Sequence, residues 1–123
     1  MSTDLWPEFD VASKSTPKTI VQQAGAGLEK KTKGLIKFNL STTTISEGFA
    51  SFDVSLFSRT LSYFYPFLKV RFPMVDLYPV ELVADKVPGT LRAANEEELL
   101  NMLGKVFQAP STIDTIQKLI ALS

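Results

Sequence analysis

The sequence predicts an α+β domain, a four-stranded antiparallel meander with one helix before it and two after it, in the order α-β-β-β-β-α-α. Three observations predict it. Apolar residues recur at helical spacing over residues 16–33, alternate with polar residues from Leu35 to Ala84, and return to helical spacing after Asn95. Strands and helices are therefore segregated along the chain, unlike the alternating pattern that builds a parallel sheet. One core is expected from 123 residues, because two halves would each bury too little apolar surface. Residues 16–123 read as that domain. Residues 1–15 read as an N-terminal tail, in which Trp6 and Phe9 stand among small polar residues without any period.

The first helix starts at Thr16-Pro17, where the threonine hydroxyl can accept from a free backbone N–H and proline has no N–H to lose. Ile20, Val21, Ala24 and Leu28 form its apolar stripe, and Gly34 stops it. Gly25 and Gly27 weaken it by about 1 kcal/mol each relative to alanine, so a kink or the close approach of another backbone is expected there. The first strand is read over residues 35–45, with Ile36, Phe38 and Leu40 on one face, and Glu47-Gly48 turns the chain. Ala50, Phe52, Val54 and Leu56 alternate in the second strand, which makes a hairpin with the first. The third strand covers residues 63–72 and contains Pro66, a residue that gives no ladder hydrogen bond and so belongs at an edge or a bulge. Residues 73–76 turn the chain into a fourth strand over 77–84, with Val80 and Leu82 inward. Residues 86–94, with Pro88-Gly89 inside, read as a loop. Asn95 followed by Glu96, Glu97 and Glu98 is a capping-box pattern with acidic residues at the positive end of the helix dipole. Leu99, Leu100, Leu103, Val106 and Phe107 are its expected buried face. After Pro110, Ser111 and Asp114 restart a last helix, in which Ile113, Ile116, Leu119 and Ile120 share one side.

Several of these residues carry a resemblance. Thr16-Pro17, Leu28 with Thr32 and Gly34, the aromatic strand around Tyr63 and Tyr65, Tyr78-Pro79-Val80 and the acidic helix start at Glu96 resemble a group of short uncharacterised bacterial proteins. The likeness runs from about Thr16 to Leu122, and its motifs are structural punctuation. The group lends no activity, cofactor or site residue.

Composition narrows the function. Thirteen basic residues balance thirteen acidic ones, which removes the broad positive field of a non-specific nucleic-acid or anionic-membrane binder. The chain has no cysteine, so thiolate nucleophiles, disulfides and zinc-thiolate sites are excluded. It has no histidine, which removes the commonest general acid/base near neutral pH and the commonest transition-metal ligand. Met1 to Glu8 lack a basic start and an apolar run, and no stretch is apolar for long enough to cross a bilayer, so a cytoplasmic protein is expected. No cofactor is expected either.

What remains is an excess of aromatics between Phe49 and Tyr78. A sheet covered on one side buries alternate positions, so rings at both parities, such as Tyr63, Phe64 and Tyr65, place at least one of them on the outer face. That face needs a cover: the tail through Trp6 and Phe9, a second copy, or another protein. The expected function is accordingly a non-catalytic binding domain contacting a protein partner or itself, as a homo-oligomer, with Tyr63, Tyr65, Arg59, Arg71, Tyr78 and Trp6 as contact residues. Arg59 and Arg71 among Phe57, Tyr63, Tyr65 and Phe72 would also suit stacking on a single-stranded nucleic acid, but the missing net charge argues against it. Phe64, Phe67 and Phe72 read as core or as a dimer contact. The alternative is a small carboxylate- or metal-dependent hydrolase, which requires at least two of Asp53, Asp76 and Glu81 to converge in one pocket.

Overall fold

The computed structural model describes residues 5–9 and 15–123. Most of the expected tail lies outside the described residues; the part within them, 5–9, is exposed and has no regular secondary structure. The rest is α+β. A helix broken at Ala26 into α1 (Pro17–Gly25) and α2 (Gly27–Lys31) precedes an antiparallel sheet, and α3 (Glu96–Phe107) and α4 (Pro110–Leu122) follow it.

The sheet has six strands rather than four: β1 (Ile36–Leu40), β2 (Thr44–Ser46), β3 (Phe49–Ser58), β4 (Tyr63–Pro73), β5 (Val80–Ala84) and β6 (Leu91–Ala93). Its order is β1-β3-β4-β5-β6, with β2 beside β1 on the same edge of β3, so the chain does run as a meander. The two extra strands have separate causes. The expected first strand is interrupted because the three residues 41–43 face only Phe52 and Asp53 between the pairs Leu40↔Val54 and Thr44↔Ser51. The Ser41 hydroxyl accepts from the Asp53 N–H at 2.8 Å, and the Lys18 ammonium donates to the Ser41 carbonyl and the Thr43 hydroxyl, which fixes the bulge. β6 lies inside the expected loop, where three residues between turn signals are too few to show alternation. The expected fourth strand begins three residues late. Leu77 has φ 69, outside the extended region, and Pro79, after a cis bond from Tyr78, has no N–H for the ladder.

Pro66 sits at a bulge, as expected. The pairs Val54↔Leu68 and Ser55↔Pro66 leave Phe67 with no opposite residue. The extra residue turns both Phe67 and Leu68 inward and reverses the alternation beyond it.

Local hydrogen bonding explains the helix ends. Thr16 Oγ1 accepts from the Thr19 N–H at 3.3 Å. At the other end the N–H of Gly34 donates to the Glu29 carbonyl and that of Lys33 to the Lys30 carbonyl, a Schellman closure with Lys33 at φ 54. Asn95 Oδ1 accepts from the Glu98 N–H, and Glu98 Oε1 accepts in return from the Ala94 N–H, both at 2.9 Å. The last helix starts earlier than expected. Ala109 is its cap and Pro110 its first residue, because proline already holds the helical φ.

Ile20 and Val21 of α1, Leu99, Leu103 and Val106 of α3 and Leu119 of α4 join Phe52, Val54, Leu56, Val70, Val80 and Leu82 of the sheet in one core. Each fully buried aliphatic chain contributes about 1.5–3 kcal/mol. Two helix faces are rotated from expectation. Leu100 is 47% and Ile113 49% exposed, while α4 turns Thr112 and Thr115 inward. Those threonines satisfy their own hydroxyls by donating to the carbonyls of Val106 and Ser111, so a polar residue is tolerated there.

Candidate functional site

Among the described residues all the helices pack on one side of the sheet, and none of them lies over the other. The open side carries Phe49, Asp53 and Phe57 of β3, Phe64, Pro66, Lys69 and Arg71 of β4, Glu81 and Val83 of β5, and Arg92 of β6.

Its centre is a charged ladder. Asp53 stands opposite Lys69, and Glu81 stands opposite both Arg71 and Arg92. Glu81 accepts from Arg92 at 3.0 Å and pairs with Arg71 at 3.8 Å. The Arg71 guanidinium lies 3.7 Å from the centre of the Phe49 ring, a cation–π arrangement that also holds the arginine flat against the sheet. At the hairpin end of β3 and β4, Phe57 and Phe64 are direct cross-strand partners with ring centres 4.4 Å apart. Phe64 is 53% exposed. Between the ring pair and the ladder the bulge leaves a hollow of about 210 Å³ bordered by Asp53, Ser55, Pro66, Lys69, Val83 and Asp85.

The expected contact residues are dispersed. Only Arg71 is on the open face. Tyr65 pairs with Leu56 and Tyr63 with Ser58, both partners being buried beneath the helices, so both tyrosines point to the helix side. The bulge at Phe67 is the reason: it shifts every residue before it by one position, and Phe64 rather than its neighbours faces outward. The Tyr65 hydroxyl donates to the Asp85 carboxylate and lies against Thr115 of α4. Burial, then the bond to Asp85 and its charge, push the Tyr65 phenol above its ordinary pKa. Arg59, in the turn after β3, pairs with Glu29 at 3.7 Å. Tyr78 is half-buried against the core, and its pKa is raised by burial first and by the Glu96 charge second. Trp6 lies in the exposed N-terminal segment with its ring 6.2 Å from that of Phe9.

Phe64 was expected among core or dimer rings with Phe67 and Phe72. Of the three, Phe67 and Phe72 are buried in the core. Phe57 and Phe64 as a close outer pair are what sequence reasoning missed, and Pro66 is the signal that would have found them, once a bulge there is carried through the register.

The carboxylates do not gather. β4 stands between Asp53 and Glu81, Asp76 is in the turn after β4, and among the described residues no group of three acidic side chains is placed to hold a metal ion. Among the same residues, no helix is long and apolar enough to cross a membrane. Comparison with protein-family models, curated proteins and solved structures gives no match.

Proposed function

We propose that this chain is a non-catalytic interaction module that contacts a protein partner, or a second copy of itself, through the open face of its sheet. One observation carries the reading: a close, tilted Phe57–Phe64 pair, with Phe64 half exposed, stands beside a hollow on a sheet face that no helix covers among the described residues. A cross-strand aromatic pair supports its hairpin by about 0.2–1 kcal/mol, and a contact centred on aromatics with charges around it is also the usual anatomy of a binding surface. The ladder of Asp53, Lys69, Glu81, Arg71 and Arg92 would set the orientation of the partner, since charges of both signs reject misaligned contacts.

The test places a photo-crosslinking phenylalanine analogue at position 64, and at position 118 on the exposed side of α4 as a control, in cells that produce the chain. The reading expects a discrete adduct from position 64 and none from position 118. Sedimentation velocity of the purified protein then assigns the adduct to self or to another protein. If the adduct is a dimer, Phe64→Ser weakens dimerisation about tenfold or more. A monomer with no adduct at position 64 overturns the proposal.

A further inference from the structure

The covered side of the sheet is not completely filled. Where the first helix breaks at Ala26, the two helical segments, the first strand and the junction of α3 with α4 leave a cavity of about 280 Å³. Its walls are Leu28, Phe38, Leu56, Phe67, Phe107 and Ile116. Protein interiors are packed like organic crystals, with few voids larger than a water molecule. An apolar cavity of about 150 Å³ already stays dry and binds benzene, so this one has ample room for a small hydrocarbon.

The wall is specified by sequence. A Cβ at Gly25 would lie 2.2 Å from the Phe38 ring, so the glycine is what lets that ring stand where it does. Phe38 in turn meets Phe107 edge-on at 5.5 Å and Phe67 at 6.5 Å. The one buried hydroxyl in the lining, Thr112 Oγ1, donates to the Val106 carbonyl at 2.6 Å and has no proton left for a carboxylate. The interior therefore suits apolar groups and offers nothing to hold a carboxylate. The mouth differs. Gly27, at whose Cβ position nothing lies within 4 Å, opens it, and Lys31 and Gln108 border it. Both side chains are exposed, and no hydrogen bond or ion pair engages the Lys31 ammonium among the described residues.

We infer that this cavity binds a small apolar carboxylate, its hydrocarbon part among Leu28, Phe38, Phe67 and Ile116 and its carboxylate on Lys31 and Gln108. Apolar walls with one or two polar groups at the mouth are the general form of such sites. A charge at the entrance meets the carboxylate without either group being buried, so neither incurs the cost of desolvation. A medium-chain fatty acid and an arylalkanoate share this chemistry, and the two are separated by experiment.

The ¹⁵N-labelled chain is titrated with sodium octanoate, with 4-phenylbutyrate, and with octanol as the uncharged analogue, and amide shifts are followed. Saturable shifts at Gly25, Gly27, Leu28 and Thr112 are expected for at least one carboxylate, and which of the two binds tighter identifies the class. Lys31→Ala weakens carboxylate binding about two- to fivefold, the effect of one solvent-screened charge pair, and leaves octanol unaffected. Ile116→Trp fills the space and abolishes binding without lowering the melting temperature; should that variant misfold, Gly27→Leu closes the mouth instead. Non-saturable shifts, shifts confined to the open face around Phe64, or carboxylate affinity unchanged in Lys31→Ala would overturn the inference.

Discussion

The helix side of this sheet carries more aromatic rings than the open side, and the two sides use them differently. On the helix side Phe38, Phe67 and Phe107 meet one another through edge and tilted contacts, and Phe52 and Phe72 pair edge-on at 6.5 Å. On the open side Phe57 and Phe64 meet in one tilted contact at 4.4 Å with solvent beyond them, and Phe49 carries Arg71. Ring count in a sequence window does not decide exposure; register does, and here a single unpaired residue at Phe67 assigns each ring of β4 to its side.

The largest expected effect follows from that contrast. Phe52 is 2% exposed and Phe64 53%. Phe52→Ala should cost about 3–5 kcal/mol, a large share of the stability of a small domain, through lost burial and a cavity that the strands cannot close. Phe64→Ala should cost less than about 1 kcal/mol, since most of its ring is already wet. Urea unfolding of both variants checks this, and equal losses would mean that the open face is covered in solution.

The next effect lies where helix meets sheet. Thr32 Oγ1 donates to the Leu28 carbonyl at 2.9 Å and accepts from the Ile36 N–H at 3.0 Å, so one buried hydroxyl joins the end of α2 to the start of β1. Thr32→Val keeps the shape and leaves the Ile36 N–H without a partner. A loss of about 1–3 kcal/mol is expected, while Thr32→Ser should restore most of it. A Val variant as stable as the parent would show that water reaches this joint.

Much of this architecture was legible before any coordinates. Segregated periodicities predicted the α+β class and the meander, and Thr16, Asn95 and the Glu47-Gly48 turn marked element ends by mechanisms that depend only on neighbouring residues. The failures share a cause. The bulge at residues 41–43 and the three-residue β6 are decided by what stands opposite them, which a pattern along the chain does not contain. The open face suffered most. Pro66 announced a bulge, but only the pairing with β3 shows that Phe67 is the added residue, and without it Tyr63 and Tyr65 fall on the wrong side. Gly25 announced a close approach; its partner proved to be the Phe38 side chain, not another backbone.

Alkaline titration sharpens the comparison because both perturbed phenols, Tyr65 and Tyr78, belong to the covered side. Burial raises each from the ordinary 10.0, so the fold favours the neutral phenol. The stability this provides is complete below pH 10.0 and is lost as pH rises through the folded-state values. Tyr65→Phe and Tyr78→Phe should each flatten the alkaline limb of stability against pH, and the double variant should flatten it most. Urea unfolding of the parent and the variants at rising pH checks this, and an unchanged alkaline limb in the double variant would overturn it.

The smallest effect is expected in the ladder. Arg92 and Glu81 make a 3.0 Å contact, but the arginine is 66% exposed, and pairs of this kind seldom exceed about 1 kcal/mol because water screens the charges and the long side chains lose freedom in meeting. Arg92→Ala should change stability by less than about 0.5 kcal/mol and less still in high salt, since Glu81 retains Arg71. If the ladder exists to orient a partner, the same substitution weakens the position-64 adduct while leaving the melting temperature where it was. A large loss of stability with no change in adduct would instead make the ladder part of what holds β5 and β6 together, and the open face would lose its claim to a directional role.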